Sequence, residues 1–215
     1  MNYKVSLLTR FDRIFILTSV FIVILFFTGC KKSSQPSHDV IPDEIKQWYL
    51  YQKDSYWVYQ NDKTPQIDCV YISKDPSLWQ ENFLKDDGSI YAIKDHLDIS
   101  YEGNVFQSCN IDSHVVEIGT PESQRNTAFN ANILEGHKYI DRNDTFEFVH
   151  HYDSLNIDNH YFRDVRQTRY STVMNNNKTF AVTFFLARHI GLIRINKSIS
   201  GIDTTWSVIR YHPIQ

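Results

Sequence analysis

The chain has 215 residues, with 22 Lys and Arg against 25 Asp and Glu and a formal charge of −3. The balance is mildly acidic and no basic cluster occurs, which argues against nucleic acid as a partner. Aromatic residues make up 14% of the chain, and the length suits one domain that buries roughly 70% of its unfolded surface.

A basic segment with Lys4, Arg10 and Arg13 opens the chain, and an uncharged apolar run from Ile14 to Phe27 follows. A positive start, an apolar core and a small residue before a cut form the pattern of a secretory signal. As a helix this run would span about 21 Å, short of a hydrocarbon core of roughly 30 Å, which disfavours the alternative of an uncleaved anchor. The end of the run, Phe27-Thr28-Gly29-Cys30, resembles the lipobox of bacterial lipoproteins, with Phe27 in the place usually held by Leu. The resemblance implies cleavage of residues 1–29, diacylation of the Cys30 sulfur and attachment to the bilayer through that residue. Each buried methylene contributes roughly 0.8 kcal/mol, so two or three acyl chains hold a protein permanently on a cellular timescale. The signal takes three bases and one acid with it, which shifts the charge from −3 to −5. Lys31 stands where the enteric inner-membrane retention signal has Asp. Lys31 and Lys32 also replace the acidic run of surface-exported Bacteroidota lipoproteins. By that resemblance the expected location is the outer membrane, facing the periplasm.

Residues 30–41 comprise this cysteine and a polar, aperiodic tether, and residues 42–215 form the expected single domain. Pro42, two acids, and Ile45, Trp48 and Tyr49 at helical spacing predict a short helix. From Tyr56 the apolar spacing changes to period two. Strand-like runs follow about every ten residues, bounded by Asn, Asp and Gly, through Tyr211. This predicts an all-β fold, mostly an antiparallel sandwich or curved half-barrel, with one or two short helices. The second candidate helix is Asp75–Asp87, where Leu78, Trp79 and Phe83 share a side. Trp57, Tyr59, Tyr161, Val165, Phe184, Leu192 and Trp206 read as core, and Gly191 as a turn or a close backbone approach.

Two cysteines remain beyond Cys30. In an oxidising compartment Cys69 and Cys109 can pair, closing a loop of about 40 residues worth roughly 4 kcal/mol; the alternative is two free thiols on separate strands. No nucleophile elbow, zinc-protease motif, phosphate loop or dinucleotide fingerprint is present. His150 and His151 would point to opposite faces of a strand unless a bulge intervenes. His151 and Asp153 share a face, as do His96 and Asp98, and either pair could donate to a metal with a third group from elsewhere. A solvent-facing polar side of a sheet explains them more simply, so no metal and no cofactor is expected.

Several stretches carry a wider likeness. Asn156–Tyr170, Phe184–Ile195 with Ile190-Gly191-Leu192-Ile193, and Thr204–Tyr211 resemble the closing strands of a broad group of uncharacterised exported bacterial lipoproteins, many from Bacteroidota. Tyr49–Tyr59 resembles the opening of that group, with Asp54 or Ser55 in place of its glycine. The likeness covers about a third of the chain. It implies long β hairpins and carries no catalytic residues. The functional expectation is a membrane-anchored, non-catalytic binding or interaction module with an envelope protein partner. The alternatives are a carrier of an apolar ligand in a curved sheet and, less favoured, a metal-dependent hydrolase.

Overall fold

Alternating apolar and polar residues across most of the chain give strands with one buried side, and these pair into a single fourteen-stranded sheet. The computed structural model describes residues 35–174 and 178–215; the signal segment, Cys30 and residues 175–177 lie outside them. The elements run β1 (Ser37–Asp39), α1 (Asp43–Tyr49), β2 (Tyr56–Asn61), β3 (Ile67–Ile72), β4 (Ser77–Leu84) and β5 (Ile90–Glu102). Then come β6 (Ser108–Ile111), β7 (Val115–Thr120), β8 (Ser123–Asn130), β9 (Lys138–Asp141) and β10 (Asp144–Ile157). The last are β11 (His160–Val173), β12 (Thr179–Ala187), β13 (Gly191–Ile199) and β14 (Ile202–His212).

The strand order is β8-β7-β6-β5-β3-β2-β14-β13-β12-β11-β10-β9, with β1 and β4 both paired to β5. Apart from the parallel β1–β5 pair, neighbours are antiparallel. The β9–β14 meander needs only short turns. The chain then joins its two halves by setting β2 between β14 and β3. The sheet ends are not laddered to each other, so it is an open curved sheet and not a barrel. Side chains tie the β8 region to β11 instead. The Thr168 hydroxyl donates to the Ala128 carbonyl at 2.7 Å, and the Arg166 guanidinium lies 5.0 Å from the centre of the Phe129 ring.

The concave side is filled. Ile45, Trp48 and Tyr49 turn inward from α1 and meet Trp57 and Tyr59 of β2, Phe162 and Val165 of β11, and Phe180 and Phe184 of β12 in one apolar cluster. Most of the expected core residues are there, including Leu192 and Trp206. Tyr161 is not: it is 65% exposed, because its neighbour Phe162 has the inward parity on β11.

Two further expectations change, and an open one is decided. Asp75–Asp87 contains no helix; residues 77–84 are strand β4, laddered to β5 from Ser77 opposite Asp98 to Leu84 opposite Ile90. The partner decides this, since a long unpaired edge on β5 satisfies the backbone of Trp- and Phe-bearing residues better than an isolated short helix would. Residues 37–39, expected within the tether, pair with β5. Of the two readings open for Cys69 and Cys109, the bridge does not form and the free thiols on separate strands hold. On β3 the inward parity belongs to Asp68, Val70 and Ile72, so Cys69 faces solvent, whereas Cys109 is buried; both thiols are free.

Two glycines carry sharp constraints. Gly191 has φ +93°, and a Cβ added there would lie only 3.1 Å from the Tyr51 ring, so it provides both the turn and the close approach. Gly103, in the β5–β6 connection, rides directly on Val70, whose Cγ2 would lie 2.6 Å from an added Cβ. Gly103→Ala is expected to lower stability by about 1–3 kcal/mol through overpacking, read as a lower urea midpoint at unchanged slope.

Candidate functional site

The outward side of β4–β7 carries a group of polar side chains with an exposed aromatic. On β5 the inward residues are Asp95, Leu97, Ile99 and Tyr101, which sends Lys94, His96, Asp98 and Ser100 outward. The ladder then aligns partners from the neighbours. Trp79 of β4 stands opposite His96, Glu81 opposite Lys94, and Asn110 of β6 opposite both Asp98 and Glu117 of β7.

These residues touch. The Trp79 indole stacks on the His96 ring with centroids 4.1 Å apart and planes 9° from parallel. Its Nε1–H donates to Asp98 Oδ2 at 2.8 Å, and the Asn110 side-chain amide donates to Asp98 Oδ1. Asp98 is therefore held by two donors from two flanking strands. His96 Nε2 is also 3.2 Å from Glu81 Oε2. At the end of β6, Lys94 Nζ pairs with Asp112 Oδ2 at 2.7 Å. Burial pushes the Asp112 carboxyl up most strongly, but the Lys94 hydrogen bond and the backbone N–H groups of His114 and Val115 outweigh it and hold it below the ordinary range.

Above this floor the surface forms two adjoining clefts. One, of about 530 Å³, is lined by Asp98, Ser100, Gln107, Ser108, Asn110 and Glu117, among others. The other, of about 390 Å³, runs past Trp79, Glu81, His96 and Asp112 and shares Asn110 and Glu117 with the first. Together they make an open trough. Cys109 lies beneath it, and burial first, then the carboxylates of Asp98 and Glu117, push its thiol well above the ordinary range. A neutral buried thiol is no nucleophile.

The other expected residues are placed elsewhere. A β-bulge does fall between Phe148 and His150, and both His150 and His151 are exposed. His150 Nδ1 pairs with Glu135 at 2.5 Å, and His151 Nε2 with Asp164 at 2.7 Å. Asp164 also pairs with Arg188 at 3.3 Å. His151 thus meets a cross-strand carboxylate in place of Asp153. Among the described residues no group of three His, Cys, Asp or Glu is arranged to hold a metal ion.

His96 and Asp98 are the trough residues that strand parity marks in the sequence. Trp79, Asn110, Gln107 and Glu117 escape sequence reasoning. The alternation of Ser108 and Asn110 hints at a polar outward side, but only the strand pairing shows that it faces Asp98. The helical spacing of its segment hides Trp79.

Comparison with known proteins adds little. No family model and no curated protein matches the chain. A solved structure of a protein described as a lipoprotein, from Parabacteroides distasonis, matches with a TM-score of 0.40 and 12% identity, over 77% of this chain and 99% of that one.

Proposed function

We propose that this chain is a lipid-anchored envelope protein whose β domain is a non-catalytic binding module, with the trough over β4–β7 as its binding surface. The observation that carries the reading is the set of outward polar side chains left for an external partner. The Ser100 and Ser108 hydroxyls and the Gln107 amide make no side-chain hydrogen bond among the described residues, beside an Asp98 already fixed in place. The filled concave side weighs against a carrier of an apolar ligand, because α1 and the aromatic core occupy the space such a ligand would need. The pairing of His151 with Asp164 weighs against a hydrolase built on His151 and Asp153.

The anchor is Cys30, and the outer membrane facing the periplasm is its location in this reading. Cys30→Ser is expected to abolish incorporation of radiolabelled palmitate and to leave the uncleaved precursor; normal processing and labelling of that variant would remove the lipoprotein reading. The binding role is tested in cells by combining Trp79→Ala with Gln107→Ala. The double variant should reach the membrane in normal amounts and match a deletion strain in growth competition. Wild-type fitness alongside a deletion defect would move the working surface away from the trough.

A further inference from the structure

We propose that the trough takes a neutral oligosaccharide, an inference that rests on its being the binding surface. Three features of the site point to that chemistry. The first is the indole of Trp79. His96 covers one of its faces and Asp98 holds its N–H, so the ring is fixed before any ligand arrives, yet it remains 42% exposed. A rigid, flat, partly wet aromatic with a satisfied polar edge suits the C–H face of a sugar ring, which is apolar on its face and polar around its rim. Immobilising it in advance removes an ordering cost from binding.

The second feature is the mixture of groups. A ligand dense in hydroxyls needs donors and acceptors side by side. Gln107 offers both, Ser100 and Ser108 each offer both, and Asp98 offers the lone pairs left after its two internal bonds. A purely acidic surface would suit a cation better, and a purely apolar one a lipid or an aliphatic peptide side chain; this surface is neither.

The third is charge and shape. Lys94 lies within the trough's reach but is committed to Asp112 at 2.7 Å, while the Glu81 and Asp98 carboxylates line the clefts. Phosphate, sulfate and uronic acid ligands would meet the Asp98 carboxylate there with Lys94 already paired. The two clefts lie end to end and share Asn110 and Glu117. An extended run of several sugar units fits that open form better than a single one held in a closed pocket.

The test is a glycan microarray of neutral and acidic oligosaccharides, probed with the full chain purified in a detergent that lacks a sugar headgroup, alongside a titration with spermine as a cationic probe. At least one class of neutral glycan should be retained, and acidic analogues of it should bind more weakly. Trp79→Ala should lower affinity by roughly tenfold or more, with the urea midpoint unchanged. Gln107→Ala serves as the second variant should Trp79→Ala disturb the β4 edge, and it should weaken binding without changing the fold. Silence across the neutral glycans, or equal binding by both variants, would overturn the proposal. Spermine binding that Trp79→Ala removes, with a silent array, would overturn the sugar and leave the trough as a binding surface. Silence of both probes would overturn the sugar, and wild-type fitness of the double variant in cells would take the trough reading down as well.

Discussion

Trp57→Ala should remove about 4 kcal/mol of unfolding free energy, within the range seen for a large aromatic truncated in a packed core. Trp57, the second residue of β2, is fully buried, with its ring edge-on to Tyr51 at 5.0 Å and to Tyr101 at 5.9 Å. Its Nε1–H donates to the Ile190 carbonyl at 2.6 Å, just ahead of the tight turn at Gly191. The substitution therefore costs the transfer energy of the indole, the cavity it leaves and the hydrogen bond of a part-buried carbonyl. Trp57→Phe separates these contributions, since it keeps most of the apolar volume and loses the donor; about 1–2 kcal/mol is expected. Urea unfolding of both variants is the measurement. A loss below about 1 kcal/mol for Trp57→Ala would mean that the concave side relaxes around the missing ring, and the core would then be looser than its burial implies.

The second large effect concerns a buried charge. Lys197 of β13 is 5% exposed and points to the same side as Ile193 and Ile195, with its Nζ 3.1 Å from Glu122, whose side chain is 28% exposed. Burial holds the Lys197 pKa below the ordinary lysine value, and the attraction of Glu122 only partly offsets it. Glu122→Gln leaves the ammonium without its counter-charge and is expected to cost about 3 kcal/mol at neutral pH. The sign of the pH dependence follows from the lowered value. Between the folded pKa and the unfolded one, near about 10.4, the unfolded chain holds more protons on this lysine than the folded chain does. Stability therefore rises with pH across that window, and it should rise more steeply in Glu122→Gln, whose folded pKa is lower still. Lys197→Met should be neutral or stabilising at neutral pH and should flatten this slope. Urea midpoints at neutral pH and at two steps up to roughly pH 10 for the three proteins decide the matter. A Glu122→Gln protein that gains nothing across that range would show that water reaches Lys197.

Much of the architecture is legible because parity is a local property. On β2, β12 and β13 the alternation of large apolar residues picks out Trp57, Tyr59, Phe184, Ile193 and Ile195 without any knowledge of neighbours. The exposed edges are harder. The Ser77–Leu84 segment has little burial on either side, so its period is blurred and only the free edge of β5 makes it a strand. Asp68 shows the same limit from the inside. It sits on a strand but turns inward to accept the backbone N–H groups of Asn104 and Val105 at 2.8 and 2.9 Å, clamping a turn 36 residues away. The trough is half visible: His96 and Asp98 share a face in any strand, but their partners come from β4, β6 and β7, and register between strands is not written in any one of them. The Cys69–Cys109 pairing fails for a related reason, since opposite facing cannot be read until the sheet is assembled.

The placement of β2 has a consequence in time. Its neighbour on one side is β14, the last of the described strands in chain order, and the two are joined from Tyr56 opposite His212 to Asn61 opposite Trp206. Until β14 is in place, β2 and β13 are both bare edges, and a long stretch of chain must be gathered before the seam can form. Loop closure of that length slows folding, and open edges in the meantime invite pairing with other molecules. A chain released early, before Ile202, would present two complementary edges that a second truncated copy can fill, and domain-swapped oligomers are its natural failure product.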